Sequence, residues 1–218
     1  MTPKQYDCWY SNGRGRWIGE TEFRLLASEL DCQQGDEVLD VGCGTGWFTR
    51  RIANLPQPPS VTGVDIDNDA LAYARGLDER TYYRLGNAVH LPFADNSFDR
   101  VISITALCFI PDWPQALSEI VRVSRGRFVI GLLNRHSLLW CQKGQGNNRG
   151  VYQGAYWHSH RELLEVLDTL PVGNVHFRTA IWIPSGNIIA RTVEVLLSHQ
   201  LPFGGLLLVA GDKALNTD

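Results

Sequence analysis

The sequence predicts an α/β fold, a doubly wound and mostly parallel sheet with helices on both faces. Three observations predict it. Short apolar runs alternate with amphipathic stretches from residue 37 onward, the pattern of strand–helix–strand units joined by right-handed crossovers. Residues 127–133 are almost wholly apolar, as in a parallel strand covered on both faces. The run Val38-Leu39-Asp40-Val41 breaks into Gly42-Cys43-Gly44-Thr45-Gly46. That is a buried strand turning tightly against a ligand, because only glycine lets the backbone approach so closely at positive φ.

The elements follow in order. Residues 37–41 form the first strand and 47–54 the helix after the glycine turn. Pro56, Pro58 and Pro59 close that helix, since proline lacks an amide proton and restricts its predecessor. A second strand at 61–64 leads to a helix at 69–75, capped by Asp67. Third and fourth strands follow at 81–85 and 98–104. Residues 114–123 place Ala116, Leu117, Ile120, Val121 and Val123 on one helical face. After the fifth strand, residues 134–158 carry four glycines, paired asparagines and several aromatics; they are expected to form a long loop or insert, a candidate lid. Helix resumes at Ser159, with Glu162 completing a capping box. Residues 174–182 form a sixth strand, 187–197 a helix and 206–210 a seventh strand.

With 218 residues the chain fits one domain, and 44% hydrophobic and 20% charged residues are ordinary for a globular protein. A net charge of −3 gives no basic field for nucleic acid. The five cysteines (Cys8, Cys32, Cys43, Cys108 and Cys141) are scattered. They form neither a disulfide framework nor a zinc pattern, so no metal is expected and a reducing compartment is. No apolar run approaches the roughly 20 residues of a membrane span. The polar residues 1–7 do not read as a signal peptide. The expected location is the cytoplasm, without membrane insertion; no oligomeric state is read from the sequence.

The glycine pattern is G-x-G-x-G, and Trp47 stands where a dinucleotide site would have its third glycine. At the strand tip the Asp40 carboxylate would repel a pyrophosphate but suits a cation. From Leu39 to Gly46 the chain resembles the first motif of the class I S-adenosylmethionine (SAM) dependent methyltransferases. The resemblance extends through Val61-Thr62-Gly63-Val64-Asp65-Ile66-Asp67, Leu85-Gly86-Asn87-Ala88 and the stretch 91–103. It implies a Rossmann-like fold with a seven-stranded, mostly parallel sheet and a C-terminal antiparallel hairpin, the last strand slotting between the fifth and sixth. It implies SAM as cofactor and S-adenosylhomocysteine as product, with Asp40, Gly42, Cys43 and Gly44 around the donor. Asp65 would take the ribose hydroxyls, Ile66 would lie against adenine, and Ala88 would offer its amide. Asn87 stands where relatives carry an acid, so its carboxamide oxygen would accept from the adenine amino group without charge assistance. Ile104 and Thr105 would approach SAM through their backbones, and Asp99 would shape a turn. Cys108 and Phe109 replace the histidines that many relatives carry. The central motifs also resemble quinone-biosynthesis C-methyltransferases; their N-terminal signature is missing, so that substrate does not transfer.

Residues 1–20 resemble a lead segment that folds over the cofactor, with Tyr6 against it and Arg16 facing the SAM carboxylate; the same aromatics would equally pack on the core. The expectation is a single methyltransferase domain, 1–218, acting on a small-molecule acceptor. Tyr10, Trp140, Tyr152, Tyr156 and Trp157 suggest an apolar or aromatic one, with Tyr10, Trp140 and Tyr156 the chosen contacts. His136 and His158 are the candidate general bases, ahead of His160. The motifs report binding rather than turnover, so a SAM-binding regulatory or scaffold protein is the alternative. A nucleic-acid methyltransferase lacks its Asn/Asp-Pro-Pro-aromatic signature here, where Ile104-Thr105-Ala106-Leu107 stands, and a metal-dependent O-methyltransferase lacks its acids. A nicotinamide oxidoreductase is opposed by Trp47 and Asp40.

Overall fold

The structure, a computed structural model, describes residues 1–145 and 150–214. Residues 146–149 of the expected insert lie outside the described residues. The strands are β1 (Glu37–Val41), β2 (Ser60–Asp65), β3 (Tyr82–Leu85), β4 (Phe98–Ile104), β5 (Ser124–Leu133), β6 (Val172–Ala180) and β7 (Leu206–Lys213). They form one seven-stranded sheet in the order β3-β2-β1-β4-β5-β7-β6. The first five run parallel, and β7 pairs antiparallel with β5 and β6. The expected slot of the last strand between the fifth and sixth is therefore the observed one. The helices are α1 (Pro3–Trp9), α2 (Gly13–Leu30), α3 (Trp47–Ile52), α4 (Asn68–Arg75), α5 (Trp113–Val123), α6 (Leu138–Lys143), α7 (His160–Leu167) and α8 (Ile188–Leu196).

Strand alternation divides the core into two halves. Val38, Ile102, Val129 and Leu208 meet Leu26 and Leu30 of α2 and Phe48 and Ile52 of α3. Leu39, Val101, Phe128 and Ile130 meet Leu117 and Ile120 of α5 and Leu163 and Leu167 of α7. Each fully buried leucine or isoleucine here contributes about 1.5–3 kcal/mol. The predicted caps hold: Asp67 Oδ1 accepts from Asp69 and Ala70, and Ser159 and Glu162 exchange both bonds of a capping box.

Three expectations are corrected. First, α2 is an 18-residue helix where the sequence suggested only a lead segment. Its early turns carry Gly13, Gly15 and Gly19, poor helix formers that mask the pattern. Gly15 and Gly19 are needed for packing: a Cβ on Gly15 would lie 2.0 Å from the Trp9 carbonyl oxygen, and one on Gly19 2.6 Å from the Tyr10 ring. Second, the insert is not a loop throughout. It contains α6, and its Leu139 and Trp157 are buried in the core. Asn134 anchors it by donating to the carbonyls of Pro202 and Gly204, both at 2.8 Å. Third, β6 ends at Ala180 rather than 182, because the Ile181 and Trp182 amides turn to Glu194 Oε1 and Oε2 at 3.0 and 3.1 Å.

Carboxylates tie the sheet edges together. Asp99 accepts from the Glu37 amide at 2.9 Å and pairs with Arg125 at 2.7 Å; its role is structural, but it lies within β4 and bonds across to β1 and β5 rather than shaping the expected turn. Glu119 accepts from the Leu91 amide at 2.7 Å and pairs with Arg122 at 2.6 Å. Hydrogen bonds from Arg125, Arg122 and Arg127 hold Asp99, Glu119 and Asp212 below the ordinary carboxylate range. Because these folded-state values are depressed, the stability they confer is complete above about pH 4.5 and is lost as pH falls through the folded values. Urea unfolding followed from pH 6 down to about pH 2 should show a falling midpoint, and Glu119→Gln should reduce that slope; an unchanged slope would remove Glu119 from the account.

Candidate functional site

The glycine turn joins β1 to α3. Gly42, Gly44 and Gly46 take φ of 74°, 53° and 76°, a region costly for other residues. A Cβ on Gly42 would lie 2.2 Å from the Ala106 Cβ, and one on Gly46 2.4 Å from the Tyr83 hydroxyl. The Gly42 and Cys43 amides donate to the Val64 carbonyl at 2.7 and 3.1 Å. The Gly44 amide donates to Asp65 Oδ2 at 2.7 Å, and the Asp67 amide to Asp65 Oδ1 at 2.9 Å. Asp65 thus pins the turn to the tip of β2, and each of its oxygens keeps an acceptor site.

Beside this turn lies a cleft of about 630 Å³. It sits at the carboxyl ends of the strands, where the order reverses between β1 and β4, the position at which open α/β sheets bind ligands. Gly42, Asp65, Ile66, Asn87, Ala88 and Ile104 line it, together with Tyr6 from α1. Seven of the eleven residues proposed for the cofactor therefore converge. Ile66 presents an apolar side chain that is 71% exposed. Asn87 Oδ1 accepts from the Val89 amide at 3.1 Å, so the carboxamide also shapes its own turn and keeps one acceptor site.

The other four lie outside the cleft lining. Cys43 is buried with Leu71, Ala74 and Tyr83, and the Gly44 amide is engaged by Asp65. The Asp40 carboxylate does not line the cleft: it is 2% exposed and accepts from the Thr49 hydroxyl of α3 at 2.6 Å. Burial pushes its carboxyl up to about 7. Arg16 is exposed, donates to the Ser11 carbonyl at 3.2 Å, and lines neither cavity. The lead segment is fastened instead through Asp7, which accepts from Thr45 at 3.2 Å and pairs with Arg50 at 2.9 Å. Tyr10 stacks on Trp47 at 4.2 Å.

A smaller cavity of about 100 Å³ adjoins the cleft, sharing Tyr6, Thr105 and Phe109 with it. Its walls include Tyr10, Tyr152, Leu139 and Ile181. Thr105 and Ile181 hold φ of 59° and 65°, outliers for β-branched residues that cluster at functional sites. Thr105 is fixed by its amide bond to the Gly131 carbonyl at 2.7 Å, and Ile181 by Glu194. The cavity also receives Glu22 of α2, which the motif reasoning missed. Its sequence signal is an acid on the apolar face, at helical spacing from Ile18, Leu25 and Leu26. Burial pushes the Glu22 carboxyl up to about 8, with the like charge of Glu194 adding to it.

The candidate histidines and two of the three chosen aromatic contacts line neither cavity. His158 is 2% exposed, with an unpartnered Nε2 against Trp113; burial pushes it down to about 4, and it lines neither cavity. His136 follows β5 as expected but is exposed outside both cavities, and His160 packs on Phe177. Trp140 packs against the core, and Tyr156, 47% exposed, stands outside the cavities. The insert contributes Leu139, Val151 and Tyr152 instead.

Residues 39–130 match the family model of a methyltransferase domain. Over 124 residues the chain is 37% identical to the methyltransferase GfsG of Streptomyces halstedii, covering 51% of this chain and 43% of that protein. It is 38% identical over 124 residues to a demethylmenaquinone methyltransferase of Symbiobacterium thermophilum, covering 53% and 49%. The chain thus spans about half the length of the curated relatives it matches. Among solved structures, a SAM-dependent methyltransferase from Thermotoga maritima superposes with a TM-score of 0.74 at 21% identity, covering 96% of this chain and 95% of that one. At that identity it shows the fold alone.

Gly42→Ala should cost stability by about 1–3 kcal/mol, from the left-handed φ and the collision with Ala106. It should also abolish ligand binding in the cleft. Thermal unfolding and calorimetric titration with SAM check both; full retention of binding would show that the cleft does not need this close approach.

Proposed function

We propose that the chain, whose residues 39–130 match a methyltransferase domain, transfers the methyl group of SAM to a small-molecule acceptor of apolar or aromatic character. The observation carrying this reading is the junction of the two cavities at Thr105, which sets an apolar chamber against the cofactor cleft. The cleft residues fit SAM. The two free acceptor sites of Asp65 suit a ribose diol, and Ile66 offers an apolar surface to a purine. When bound, SAM supplies an activated methyl group on a sulfonium.

The work left to the chain is positioning and exclusion of water. Asp65, held by two backbone amides, orients the ribose. Tyr6 stands between the two cavities, and α1 lies over the turn through the Asp7–Arg50 pair. This supports the reading of residues 1–20 as a cover for the cofactor. Leu139, Val151 and Tyr152 let the insert close the acceptor side. Among the described residues no helix is long and apolar enough to cross a membrane, and the five cysteines are free.

Asp65→Ala should weaken SAM binding by about tenfold or more, the value of hydrogen bonds to a charged group. Calorimetric titration of wild type and variant reads this directly. Equal affinities would place SAM elsewhere.

A further inference from the structure

The small cavity joins one carboxyl group to an aromatic wall. Glu22 shares it with Tyr6, Trp9, Tyr10 and Tyr152. Among the described residues no lysine, arginine or histidine lines this cavity. The charged group acting most strongly on Glu22 is Glu194, of the same sign. Tyr6 and Tyr10 of α1 are raised as phenols by burial and stay neutral. Arg14, which influences Tyr152, has its Nε engaged by the Pro184 carbonyl at 2.6 Å. Glu22 is half-buried and lines the cavity, and burial disfavours its charged form. A carboxylate in such a place is costly unless a cation joins it, and aromatic faces attract the same cation.

We propose that the acceptor is a small primary amine with an apolar or aromatic body, bound as its ammonium ion by Glu22 and the surrounding rings, and that Glu22 takes the proton that frees its nitrogen. This rests on the methyl-transfer reading above and adds the acceptor's chemical class and its base. The ammonium passes one proton to the Glu22 carboxylate. The freed lone pair then forms the new N–C bond, while the electron pair of the breaking S–C bond stays on sulfur. The product is a methylated ammonium, and Glu22 releases its proton to solvent. Burial raises this carboxyl to about 8, which brings it closer to an alkylammonium than an ordinary carboxylate and lowers the cost of that transfer.

The test uses S-adenosylhomocysteine to occupy the cleft, then benzylamine and its neutral isostere benzyl alcohol as probes, read by calorimetry at pH 8. The wild-type complex should prefer the amine by about tenfold or more. Glu22→Gln should erase that preference while leaving the affinity for S-adenosylhomocysteine within about twofold. Equal binding of the two probes to wild type, no binding of either, or an amine preference that persists in Glu22→Gln would overturn the proposal and leave the methyltransferase reading standing. Failure of S-adenosylhomocysteine itself to bind would overturn that reading, and the proposal with it. The wild-type comparison alone decides the matter if the variant does not fold.

Discussion

Between β1 and α3 the backbone passes so near Ala106 on one side and Tyr83 on the other that neither Gly42 nor Gly46 has room for a methyl group. Three alternating left-handed glycines make that passage, and the Val64 carbonyl and Asp65 carboxylate hold it shut. The cleft exists because the turn is this tight. A looser turn would place side chains where the cofactor belongs and would release Asp65 from the amides that aim it. The same tightness sets α3 against α2 and the sheet, so site and core share one constraint.

The N-terminal helices answer to that constraint. Tyr10 stacks on Trp47, the first residue after the turn, and Asp7 reaches Thr45 and Arg50. Gly15 and Gly19 let α1 lie close against α2. Helix propensity is given up in α2 for contact between helices, and the long apolar face from Ile18 to Leu30 compensates through burial. The outcome puts Tyr6 at the boundary of two cavities.

Three acids near the site show how environment separates chemically equal groups. Asp65 sits at a strand tip on two backbone amides and remains open to the cleft. Asp40, two strand positions before Gly42, is enclosed against Thr49 and serves the fold. Glu22 stands beside a cavity among aromatics, with its proton affinity raised by burial and by Glu194. Their order along the chain says nothing of this division; it arises from which atoms surround each carboxyl.

The sequence by itself determined the parallel core, the switch-point position of the glycine turn, the Asp67 and Ser159 caps and the convergence of Asp65, Ile66, Asn87 and Ala88. These follow from local rules: period, glycine conformation, capping and the strand-end placement of loops. Only the tertiary structure decided that Asp40 is buried and that Arg16 and the histidines lie outside the cavities. Only it brought Glu22, Tyr6, Tyr10 and Tyr152 around one chamber. Such facts depend on packing between segments far apart in the chain. A residue's neighbours across helices and strands are set by the summed burial of the whole core, which no window of sequence contains.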